Sequence, residues 1–86
     1  MNKEQAKTKV EEMIEYHMSE FDLEKEDAIN VVAENLMWEY RYNKISKEDM
    51  LLCFDVLKIV PDLDYIERGK AQYEKSKAYR NNRKKH

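Results

Sequence analysis

The sequence predicts an all-α fold: a small four-helix bundle in which a three-helix core carries a basic C-terminal helix. Three observations point there. The 86 residues include one Gly and one Pro, too little turn material for a series of hairpins. Apolar residues recur at three- and four-residue spacing through successive segments. Each segment opens on a residue able to cap a helix. A chain of this length supports one domain. Residues 1–62 form its acidic helical core, and residues 63–86 form a basic helix and tail, docked on that core or projecting from it.

In the first segment Asn2 and Gln5 stand three apart, as a capping box requires. Ala6, Val10, Met13, Ile14, His17 and Phe21 follow at helical spacing, so a helix is predicted over about residues 3–20. Asp22 is the expected cap of a second helix, with Glu24, Glu26 and Asp27 interacting favourably with its N-terminal dipole. Its core stripe is Ile29, Val32, Ala33, Leu36, Met37 and Tyr40, and Asn43 suits a left-handed C-terminal position. Ser46 begins the third helix, with Asp49 at its third position and Ile45 placed to staple to Met50. Pro61 disfavours a helical Val60, so this helix is expected to stop near there. Asp62 opens a fourth, reaching about Asn81. Gly69 within it marks a break or a close approach. Loops this short favour antiparallel neighbours.

Helix three is unusually apolar. At 100° per residue its apolar positions, Ile59 and Val60 included, cover an arc of roughly 220°. Such a helix lies at the centre of the core or crosses a homodimer seam, and Leu51, Leu52, Val56 and Ile59 are the candidate seam residues. Helix two bears a second stripe opposite its core stripe: Val31, Trp38 and Tyr42, flanked by Glu34 and Arg41. An aromatic stripe with polar edges suits a partner-binding face. The competing reading is that helix one or four covers it.

The net charge of −2 conceals a segregation. Residues 1–64 carry 8 Lys/Arg against 16 Asp/Glu, a charge of −8; residues 65–86 carry 8 against 2, a charge of +6. In the tail, Lys77, Arg80, Arg83, Lys84 and Lys85 are candidate phosphate contacts, and Tyr65, Tyr73 and Tyr79 could stack on bases. Against nucleic-acid binding stands the acidic body, which would repel a duplex beyond the tail. A solvated tail and an acidic protein surface, including that of a second copy, are the alternatives.

Catalytic and metal chemistry finds little support. Cys53 is the only cysteine, so neither an intrachain disulfide nor a zinc-finger spacing exists. His17 has no second histidine at i+4 and reads as a hydrogen-bonded core residue. Asp22, Glu24 and Glu26 alternate as calcium-loop ligands do. However, Asp27 occupies the glycine position and Ala33 the position of the final glutamate. No Gly-rich phosphate loop or Ser/His/Asp set is present, so no catalytic residue, metal or cofactor is expected, and the protein reads as a non-enzyme. Glu11, Glu12 and Glu15 interrupt the first apolar stretch, excluding a signal-peptide core, and no run approaches a membrane span. A cytoplasmic location is the default. A composition rich in Asn, Lys, Ile, Tyr and Glu is that of a low-GC bacterial or phage gene.

The expectation is a small regulator or inhibitor that binds a larger protein through a helical surface. A small DNA- or RNA-binding regulator using the C-terminal helix is the main rival, and a structural subunit of an assembly is a third reading.

Overall fold

Asn2 and Gln5 complete the predicted capping box. The Asn2 side chain accepts from the Gln5 amide at 2.8 Å, and the Gln5 side chain accepts from the Asn2 amide at 2.9 Å. Helix α1, Lys3–Phe21, follows. In this computed structural model residues 1–84 are described, with side chains described to residue 80. Three further helices complete an all-α four-helix bundle: α2, Lys25–Arg41; α3, Lys47–Leu57; and α4, Leu63–Lys84. None of the helices is long and apolar enough to cross a membrane among the described residues.

Two boundaries differ from expectation. Asp22 does not cap α2. It ends α1 in the left-handed conformation, φ 52°, and Glu24 is the residue before α2, with no side-chain cap bond. Asp tolerates a left-handed backbone, so it closes a helix as readily as it opens one. Helix α3 ends at Leu57 rather than near Pro61. Lys58 adopts φ 60°, its amide donates to the Asp55 carbonyl, and the Ile59 amide donates to the Phe54 carbonyl. This is a Schellman turn with lysine where glycine is usual. Ile59 and Val60 therefore leave the helical arc: Ile59 packs back on the core, and Val60 is almost fully exposed.

The other signals behave as read. The Ser46 hydroxyl accepts from the Asp49 amide at 3.1 Å, and Met50 behind it is fully buried. The Asp49 carboxylate faces the Met1 ammonium at 3.4 Å instead of completing a box. The Asp62 carboxylate accepts from the Tyr65 amide at 3.2 Å, capping α4, which continues beyond Asn81 to Lys84. Asn43 has φ 62° at the end of α2.

The core is made by Ala6 and Val10 of α1, Ala28, Val32, Ala33, Leu36 and Tyr40 of α2, Met50, Cys53, Phe54 and Leu57 of α3, and Ile66 of α4. Helix α2 packs against each of the other three, α1 and α3 pack together, and the backbone of α4 approaches only α2, with an ion pair from Lys47 of α3 to Glu67. Four of the eleven α3 residues are thus enclosed by their own chain, while Leu51, Leu52 and Val56 remain half-buried at its flanks. Burial raises the Cys53 thiol pKa above its usual value, keeping it protonated.

Candidate partner-binding face

Residues 31, 38 and 42 follow one another at i, i+7 and i+11, so α2 aligns them on the side away from its core stripe. Trp38 and Tyr42, four apart, stack with ring centres 5.4 Å apart and planes 19° from parallel. The Arg41 guanidinium lies 4.5 Å from the centre of the Trp38 ring, a cation–π contact. Trp38 and Tyr42 are each 41% exposed, Glu34 is exposed, and Val31 and Arg41 are half-buried. The candidate face is therefore open, with its aromatic rings preordered by one another.

Helix α4 supports this face from one edge without covering it. Tyr73 sets its ring against Tyr42 at 4.7 Å and 89°. Gly69 passes so close to Arg41 that a Cβ there would lie 2.9 Å from the guanidinium carbon. The predicted close approach at Gly69 thus makes room for the cation on Trp38, and α4 continues through it unbroken. Between the two helices runs a groove of about 290 Å³, bordered by Met37, Trp38, Arg41, Tyr65 and Ile66.

A polar clasp fixes the register of α4. The Tyr40 hydroxyl donates to Glu67 at 2.7 Å, and the Lys47 ammonium lies 3.3 Å from the same carboxylate oxygen. Lys70 donates to the Tyr40 carbonyl at 2.9 Å and to the Asn43 side chain, while Asn43 donates to Glu74 at 2.7 Å. Burial, reinforced by the bond to Glu67, pushes the Tyr40 phenol up to about 12. The Tyr40 hydrogen bond and the neighbouring Lys47 hold the Glu67 carboxyl below its ordinary value.

The tail residues separate in the same step. Tyr65 and Tyr73 belong to the α2 face, and Lys70 is engaged by the clasp. Lys77 and Arg80 are exposed on the part of α4 beyond Glu74, beside Tyr79 at 66% exposure. The side chains of Arg83 and Lys84, and the whole of Lys85, lie outside the described residues. Of the seam candidates, Leu51, Leu52 and Val56 are half-buried on α3, with Val56 bordering a groove beside α1, and Ile59 sits in the turn after the helix; all four pack against the core.

His17 has both ring nitrogens engaged. Nδ1–H donates to the Met13 carbonyl at 2.8 Å, since a carbonyl can only accept, and Nε2 accepts from the Asn35 amide at 3.1 Å. No group of three or more His, Cys, Asp or Glu side chains is placed to hold a metal among the described residues. Sequence reasoning placed Tyr65 and Tyr73 with the tail; their helical spacing to Gly69 was the available sign of a face packed on another helix. Compared with protein-family models, curated proteins and solved structures, the chain matches none.

Proposed function

We propose that the protein is a small binding module that engages a larger protein through the Trp38–Tyr42 face of α2 and so regulates or inhibits it. One observation carries this reading: the Trp38 ring is contacted by both Tyr42 and Arg41 while 41% of the residue stays exposed. Rigid, exposed aromatic and arginine side chains lose little entropy on binding and dominate hot spots. Glu34 supplies a polar rim. The decisive experiment compares native protein with Trp38→Ala against proteins captured from the source cell. The substitution is expected to keep the fold, because the ring is not enclosed, and to weaken binding by about 2 kcal/mol or more. Full binding by Trp38→Ala rejects this face.

The exposed Lys75, Lys77 and Arg80 on the outer part of α4 favour a second reading, contact with nucleic acid. Binding of this kind weakens steeply with salt, by a logarithmic slope of about −0.9 per phosphate contact on duplex DNA. Absence of salt-dependent binding to DNA and RNA rejects it.

A further inference from the structure

A groove of about 1250 Å³ lies on the side of the core away from Trp38, between α1, the start of α2 and the end of α3. Its floor is apolar: Val10, Ile14 and Met18 of α1, Ile29 of α2, and Val56 and Leu57 of α3. Ile14, Ile29 and Val56 are only half-buried, and Met18 is 37% exposed. Along its α1 wall stand Lys3, Lys7, Glu11 and Glu15, spaced four residues apart on one face of the helix. The row reads plus, plus, minus, minus.

No ion pair takes up that row, and Lys25, Asp55 and Lys58 border the groove from its other side. The three ion pairs among the described residues involve none of the four. Lysine N-terminal to glutamate at i, i+4 is the weaker orientation of a helical pair. Lysines near a helix N-terminus and glutamates towards its C-terminus also oppose the helix dipole. The row does have a natural complement: itself, reversed. Set antiparallel about a two-fold axis level with residue 9, Lys7 faces Glu11 of a second copy and Lys3 faces its Glu15. The same register generates both pairs, and the axis doubles them to four over roughly 18 Å of helix.

We propose that a second copy of this chain occupies the groove, the two α1 helices packing antiparallel so that each row of charges pairs with the other. The apolar floor is covered in the process, and the charges fix direction and register. This places the dimer contact on α1, with Val56 as the contribution of α3. It is independent of the Trp38 face, which lies on the other side of α2.

Sedimentation equilibrium tests the pairing. The native chain should sediment at twice 10.5 kDa. Lys3→Glu/Lys7→Glu makes the row all negative, and Glu11→Lys/Glu15→Lys makes it all positive. Each should dissociate with a constant raised at least tenfold, and an equimolar mixture of the two should recover the dimer. Exchanging all four charges in one chain also restores self-complementarity and aligns the row with the helix dipole. That variant keeps the test decisive if either half-exchanged chain folds poorly. A native chain that stays monomeric overturns the proposal and assigns the groove to another occupant. A dimer indifferent to both reversals overturns it equally, and Trp38→Ala should leave the dimer intact in every case.

Discussion

The Tyr40 phenol donates to the Glu67 carboxylate across 2.7 Å, linking the buried stripe of α2 to the first turns of α4. Few contacts join these helices, so this one has measurable consequences. Tyr40→Phe should cost about 1 kcal/mol, below the usual range for a bond to a charged group because Glu67 is partly exposed. For a chain of this size that lowers the melting temperature by roughly 5 °C.

The same pair sets a pH dependence. An unfolded tyrosine ionises near 10, whereas folded Tyr40 holds its proton to about 12. Between those values the unfolded chain has lost a proton that the folded chain keeps, so stability falls as pH rises. Glu67 works in the opposite sense: its lowered pKa stabilises the fold above the ordinary glutamate value, and that contribution is lost as pH falls through the folded one. Lysines also discharge at alkaline pH, so native protein and Tyr40→Phe must be melted side by side. A shallower alkaline slope in the variant is expected; identical slopes contradict the assignment.

Lys58→Gly should stabilise the protein by about 0.5–1 kcal/mol, because φ 60° strains a side-chain-bearing residue. Asn43, at φ 62°, should respond the other way. Glycine there relieves less strain and removes the side chain that bonds Lys70 and Glu74. Urea unfolding of the two variants should give shifts of opposite sign.

Gly69→Ala sets helix propensity against space. Alanine favours α4 by about 1 kcal/mol, but its methyl displaces the Arg41 guanidinium from Trp38. Stability should stay within about 1 kcal/mol of native, while Trp38 fluorescence changes. Introduced into Arg41→Ala, where nothing obstructs the methyl, the same substitution should give its full gain. Equal effects in both backgrounds would show no coupling between these positions.

Removal of residues 77–86 should shift the melting temperature by less than about 3 °C. The described contacts of α4 with the rest of the chain end at Tyr73 and Glu74. The truncated chain loses five cations, taking the net charge from −2 to −7. A large thermal loss would mean that the outer part of α4 has a structural role.

The order of the four helices was legible because periodicity and caps are local: Asn2 with Gln5, Ser46, and Asp62 each act within one turn. The errors also have local causes. Asp22 is chemically suited to either end of a helix, and helices lie on both sides of it, ending at Phe21 and beginning at Lys25. Lys58 gives no sign in sequence of the left-handed turn that ends α3, so Pro61 was the nearest visible stop. The stacking of Trp38 on Tyr42 could be read from a spacing of four. The support from Tyr73 and the choice between a break and a close approach at Gly69 could not, since both depend on how far α4 slides along α2. That register is set by Tyr40, Glu67, Lys70 and Asn43, residues separated by 27 to 31 positions where they meet.

Because α4 packs on α2 and reaches α3 through the exposed Lys47–Glu67 ion pair, the molecule can open in two stages. Detaching α4 uncovers Ala33, Met37 and Ile66 but leaves the packing of α1, α2 and α3 in place. Amide hydrogens of α4 should then exchange with solvent through a partial opening, while those around Leu36 and Met50 wait for global unfolding. One chain thus carries two tiers of protection, and the Trp38 face borders the less protected one. A partner that grips both α2 and α4 would close the gap between the tiers, making its presence visible in the exchange of amides it never touches.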